Sequence, residues 1–224
     1  MDEDLGSLIG VGRAADVYDQ GDGTVLRRYR SDHESELEGR MMMWVSDRGV
    51  PVPTVHRARG RDIVMDLVEG PTMMQNLESR PWLLLRYARM LARLQRQINE
   101  LEAPTWFPRH EGVTPGTSVI HLDLHPMNVI LGADGPVVID WTNASRGHSS
   151  FDAAMTYVLV STFDPSDRVA RLGQRAFVEG FAISRGRRSI RAALNEAARY
   201  RLLDPNITDG ERASLQRILI ARHP

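Results

Sequence analysis

His121-Leu122-Asp123-Leu124-His125-Pro126-Met127-Asn128-Val129-Ile130-Leu131, followed after a turn by Val137-Val138-Ile139-Asp140-Trp141, decides how the chain is read. Two polar clusters lie beside apolar runs that read as buried strands. Polar side chains there need partners, and a ligand or a metal ion is a natural one. The runs Val129 to Leu131 and Pro136 to Ile139 flank Gly132-Ala133-Asp134-Gly135, a turn composition. A hairpin is expected, and it would bring Asn128 and Asp140 together. Phosphoryl transfer explains that spacing. It requires an acceptor-orienting carboxylate, an oxygen ligand for magnesium a few residues on, and a second carboxylate on the same ion. Asp123, Asn128 and Asp140 supply that set.

Upstream, residues 1 to 69 read as a small sheet-based lobe. Strands are expected from Leu8, from Asp16 and over Thr24 to Tyr29, with the Asp22-Gly23 turn between the last two. The spacing predicts a helix over 33 to 48, stopped by Gly49, and then a Val50-Pro51-Val52-Pro53 linker that cannot be helical. Two more strands, 54 to 57 and 62 to 68, flank Arg59-Gly60-Arg61. Glu69-Gly70-Pro71 marks the boundary.

Residues 70 to 224 read as a mainly helical lobe. Pro81 suits a helix start, and Leu84, Ala88, Leu91 and Ile98 form an apolar stripe through residue 101 that is read as core alone. A loop from Ala103 to Gly116 leads to a strand at 118 to 120. Helices are expected over 151 to 163, 166 to 183, 187 to 203 and 209 to 222.

The loop from His121 to Asn128, with the strand ending Ile139-Asp140-Trp141, resembles the aminoglycoside phosphotransferase and choline kinase group, distant relatives of the protein kinases. The loop of that family reads His-Gly-Asp-x-His-x-x-Asn. The resemblance implies an α+β, bilobal protein-kinase-like fold with a small antiparallel-sheet N-lobe and a mainly helical C-lobe. ATP would lie between the lobes, with Mg2+ as the second cofactor and a small-molecule hydroxyl as acceptor. It makes Asp123 the catalytic base, Asn128 and Asp140 the magnesium ligands, His121 and His125 supports of the loop, and Asp152 its anchor from the following helix. Gly10-Val11-Gly12-Arg13 is similar to the family's phosphate-covering loop. Arg27 falls where the family has its phosphate-binding lysine, and Glu38 where the paired helix glutamate sits. Met65, Asp66 and Leu67 begin the segment that would hold adenine through backbone groups.

Three departures carry expectations. Leu122 replaces the usual glycine, with loop packing as the expected effect. Gln95 stands where relatives often have histidine. Arg27 replaces lysine, putting a fork able to clamp two phosphate oxygens where an ammonium is a point charge. Two other readings stay open. His121, Asp123 and His125 alternate, so on a strand they would share a face and could serve a metal-dependent hydrolase. The missing lysine would also suit a nucleotide-binding module without catalysis.

Composition bounds the rest. The 224 residues are 42% hydrophobic and 25% charged, an ordinary globular balance. There is no cysteine, which excludes disulfide and thiolate chemistry. No run approaches the roughly 20 apolar residues of a membrane helix, and the N-terminus lacks a basic, apolar leader; a cytoplasmic protein without a membrane partner is expected. The net charge of -1 hides an asymmetry: residues 1 to 70 carry nine Arg against fourteen acids, and residues 165 to 224 carry twelve against six. All basic residues are Arg. Those of the tail are scattered along expected helices as on a solvated face, so no nucleic acid partner is expected. Their charge disfavours a polycationic acceptor and favours a neutral or anionic hydroxyl compound.

Overall fold

Val25, Leu26, Tyr29 and Ile63 are buried and lie on the middle strands of an N-terminal sheet. The computed structural model describes residues 5–12, 14–31, 35–165 and 167–220. In it β1 (Ser7–Val11), β2 (Ala15–Asp19), β3 (Thr24–Tyr29), β4 (Val55–Arg59) and β5 (Asp62–Asp66) form a five-stranded sheet in the order β1-β2-β3-β5-β4. All neighbouring pairs are antiparallel. Asp22 sets the β2–β3 turn by accepting hydrogen bonds from the Thr24 amide at 3.0 Å and its hydroxyl at 2.7 Å. Helix α1 (Ser35–Ser46) packs on β4. Gly39 permits the close approach, because a Cβ there would stand 2.5 Å from the Ala58 Cβ.

The chain then runs through α2 (Met73–Ser79), a 3-10 turn (Pro81–Leu83), α3 (Leu84–Asn99) and β6 (Ser118–Ile120). Next come the paired strands β7 (Val129–Gly132) and β8 (Gly135–Val138), then β9 (Ser145–Gly147), α4 (Ser149–Thr162), α5 (Arg168–Arg185), α6 (Arg187–Leu202) and α7 (Asp209–Ile220). Two compact units result: Met1–Gly70 with Ile130–Thr142, and Pro71–Val129 with Asn143–Pro224. In the first, Gly70 has φ +143 and a Cβ there would lie 2.3 Å from the Leu131 carbonyl oxygen, so only glycine fits beside the hairpin. In the second, α3 packs on α5 and α4 on α6, with Phe151 edge-on to Tyr200 at 5.6 Å. Among the described residues no helix is long and apolar enough to cross a membrane.

Several elements differ from expectation. The predicted helix from Pro81 opens as a 3-10 turn and becomes α-helical only at Leu84. Helix α2 was not anticipated, although Thr72 and Gln75 form a capping box in which each side chain accepts from the other's amide, at 3.1 and 2.8 Å. Strand β9 pairs with β6 over three residues, too few for a periodic signal. The stripe of α3 is not core alone: the face that buries Leu91 and Ile98 also buries Gln95 and Asn99.

Candidate active site

His121 to Asn128 are placed by strand β6, which delivers the chain, and by the 3-10 turn Pro126–Asn128, which leads into β7. The loop is irregular, and Leu122 has φ +65. A branched side chain in that left-handed region costs about 1–2 kcal/mol. The family glycine at this position therefore answers to backbone conformation, and the expectation that Leu122 alters mainly packing is corrected. Asp152, fully buried on α4, holds the turn. Its Oδ1 accepts the amides of His121 at 3.1 Å and Leu122 at 2.8 Å.

Asp123 follows at once. Its amide donates to His121 Nδ1 at 3.3 Å. Asn128 Nδ2 donates to the Asp123 carbonyl at 2.9 Å and to its Oδ2 at 3.2 Å. This turns the other amide atom of Asn128, an oxygen of the kind magnesium takes, away from Asp123. His125 Nε2 lies 3.6 Å from Asp123 Oδ1, while His125 Nδ1 accepts the Met127 amide at 3.3 Å and caps the turn.

Behind the loop is a buried polar network. Asn99 Nδ2 donates to Asp152 Oδ2 at 2.8 Å and to the Val119 carbonyl at 3.0 Å. Gln95 Nε2 donates to the Asp152 carbonyl at 2.9 Å and to Thr156 Oγ1 at 2.7 Å, and Thr156 donates to the Leu124 carbonyl at 2.8 Å. Arg185 closes the network from the end of α5, with Nε on Gln95 Oε1 at 3.2 Å and Nη2 on Asn99 Oδ1 at 2.5 Å and on the Ser149 carbonyl at 3.3 Å. Burial holds the Arg185 guanidinium below its ordinary value, against the opposing pull of the Asp152 charge.

The first unit holds a second cluster. Arg27 on β3 donates from Nη1 to Glu38 Oε1 at 2.9 Å, and from Nη2 to Asp140 Oδ1 at 2.7 Å and Thr142 Oγ1 at 3.1 Å. The Tyr29 hydroxyl donates to Glu38 Oε2 and lies 2.8 Å from Thr142 Oγ1. Burial would lower the Arg27 guanidinium, but the charges of Glu38 and Asp140 outweigh it and raise it above its usual value. Burial, then the Glu38 charge, push the Tyr29 phenol up. Both terminal nitrogens of Arg27 are thus on protein groups, and a bidentate clamp on phosphate would require breaking these bonds. Asp140 has φ +63, a conformation that aspartate tolerates better than most residues. Trp141 beside it is fully buried, with Nε1 donating to the Val138 carbonyl at 3.2 Å.

The other candidates are placed as follows. Gly10 lies within β1 opposite Val17, and Gly12 donates its amide to the Ala15 carbonyl at 2.9 Å to form the turn into β2; Arg13 lies outside the described residues. Met65 pairs with Val25 in the sheet. The amides of Asp66 and Leu67 donate to the carbonyls of Thr54 and Gly23, each at 2.9 Å, so backbone donors for a base would have to come from further along the segment. His121, Asp123 and His125 do not share a strand, which removes the geometric premise of a metal-dependent hydrolase. Among the described residues, no group of three or more His, Asp or Glu side chains is placed to hold a metal ion.

The model of the phosphotransferase enzyme family known as APH matches residues 70–193, more than half of the chain. The chain belongs to that family. No curated protein matches it by sequence. Among solved structures, this APH family member is similar to the streptomycin–ATP complex of APH(2")-IIa, with a TM-score of 0.65 at 12% identity over 95% of this chain and 90% of that one. It is also similar to APH(3'')-Id of Streptomyces rimosus, with 0.56 at 19% over 82% and 88%, and to a microcompartment-associated aminopropanol kinase, with 0.59 at 15% over 95% and 88%. The likeness is one of fold: an antiparallel sheet in the N-terminal region and a helical C-terminal part, as in kinase-like APH enzymes.

Sequence reasoning missed Tyr29, Thr142, Asn99 and Arg185. Two signals were present. Tyr29 follows Arg27 by two positions on β3, the spacing that returns an extended chain to the same face, whereas Thr142 follows Asp140, whose φ of +63 breaks the extended chain. Gln95 and Asn99, four apart on α3, share one helix face. Arg185 carries no local signal.

Proposed function

We propose that the protein transfers the terminal phosphate of ATP to a hydroxyl group of a small molecule in a magnesium-dependent reaction. The observation that carries this reading is the loop of an APH family member in which Asp152 clamps two amides and Asn128 donates to both the backbone and the carboxylate of Asp123. Asp123 is proposed to orient the acceptor hydroxyl and take its proton as the oxygen bonds to phosphorus and the bond to the β-phosphate oxygen breaks. Little basicity is required, because positioning and charge neutralisation supply most of the acceleration.

Asn128 and Asp140 are proposed to hold magnesium, which supplies charge neutralisation on the phosphates when bound. Their oxygens are donors of the kind it prefers. Arg27 is proposed to act as an anchored positive charge near the phosphates, its fork taken by Glu38 and Asp140. The acceptor is proposed to be neutral or anionic, in keeping with the arginine excess of residues 165 to 224. A panel of sugars, amino alcohols, hydroxy acids and aminoglycosides, assayed for magnesium-dependent ADP release with Asp123→Ala as control, tests the reading. Release that continues at the parent's rate in the variant, or that needs no magnesium, overturns it.

A further inference from the structure

Arg185 ends α5, and nothing in its local sequence connects it with Asp123. Yet among the described residues its three hydrogen bonds run into the network behind the loop and the start of α4. Arginine only donates, so it fixes which end of each amide it meets. It holds the oxygens of Gln95 and Asn99, and both amide nitrogens are thereby turned onto α4, one on the Asp152 carboxylate and one on its carbonyl. The same carboxylate grips the consecutive amides of His121 and Leu122, where Leu122 has φ +65. A leucine stays in that conformation only while its surroundings impose it. Residue 123 comes next in the chain.

We infer that Arg185 is a positioning residue for the reaction proposed above: through Asn99 and Gln95 it orients Asp152, and Asp152 holds Leu122 in the left-handed turn that presents Asp123. Without Arg185 the two amides are no longer held in one orientation. One flipped Asn99 would aim its oxygen at the Asp152 carboxylate, and the grip on Leu122 would loosen. The inference rests on the phosphotransferase reading for its consequence in catalysis, but not for the linkage itself.

The test uses the full chain with Arg185→Gln, Arg185→Lys, Leu122→Gly and the double variant Arg185→Gln/Leu122→Gly. Amide hydrogen exchange is followed without ligand, and ATP hydrolysis without added acceptor is followed as ADP release. Arg185→Gln is expected to speed exchange of the Leu122 amide by about tenfold, and to lower kcat by about the same factor with KM for ATP unchanged. Lysine at 185 restores part of both. Glycine at 122 adopts the left-handed turn without strain, so the double variant should recover kcat relative to Arg185→Gln alone. A merely structural role predicts the reverse, because Leu122 is buried and its loss should add to the damage.

Unchanged Leu122 exchange in the Arg185 variants, or additive losses in the double variant, overturns the inference. If Arg185→Gln does not fold, Arg185→Lys carries the same comparison. If no form releases ADP, either alone or with the acceptor panel, the phosphotransferase reading falls while the exchange measurement still decides the linkage.

Discussion

Arg27 Nη2 donates to Asp140 Oδ1 at 2.7 Å while Nη1 of the same guanidinium donates to Glu38, so one side chain is shared by two carboxylates from distant parts of the sequence. The Glu38 side chain is only 1% exposed. Removing the cation takes from that buried carboxylate the ion-pair partner it has in Arg27, a change that costs about 3 kcal/mol. Arg27→Ala should lower the urea midpoint accordingly and weaken ATP binding. Arg27→Lys keeps the charge but cannot reach both carboxylates with a fork, and should fall between. An unchanged midpoint with unchanged ATP turnover in Arg27→Ala would contradict the role.

Tyr29 predicts a pH dependence. Burial and the Glu38 charge raise its phenol above the ordinary value of 10.0, so the folded state holds the proton more tightly than the unfolded one. The contribution to stability is complete below about pH 10 and declines as pH rises beyond it. Tyr29→Phe loses the hydroxyl's bonds, about 1 kcal/mol at neutral pH, and should show a shallower decline. Urea midpoints between pH 8 and 11 for both proteins check the sign.

Asp123→Ala should leave ATP binding, read by calorimetry, largely intact. Phosphate transfer should fall about a thousandfold, within the range expected for loss of a positioned acid–base group. A variant that still transfers phosphate at the normal rate removes Asp123 from the mechanism.

Gly39 sets how closely α1 approaches β4, and α1 carries Glu38. Ala58 Cβ would meet a new methyl at 2.5 Å, so Gly39→Ala should cost about 1–3 kcal/mol through overpacking. A thermal midpoint equal to that of the parent would show that the helix can move away at no cost.

The sheet, the glycine stop after α1 and the helical character of the second half were legible because alternation, turn residues and helical spacing are local. Helix α2 has a local signal in Thr72 and Gln75, but its seven residues are too few for helical spacing to show. The partners of the polar positions of α3 were not legible, for another reason. An apolar stripe reads as core, and nothing in a single sequence says that its two amides meet the carboxylate and the carbonyl of a residue 53 or more positions later.

Residues 121 to 128 and 139 to 141 determined by themselves the family and the residues on which the chemistry is proposed to depend, because ligand type and spacing are properties of short segments. Folding decided the rest. It placed Arg27 between Glu38 and Asp140, assigned the left-handed conformation to Leu122, and brought Arg185 to Asn99 across 86 residues. Such relations arise from packing between elements remote in sequence, where a buried charge or donor must take whichever partner the tertiary structure brings within reach.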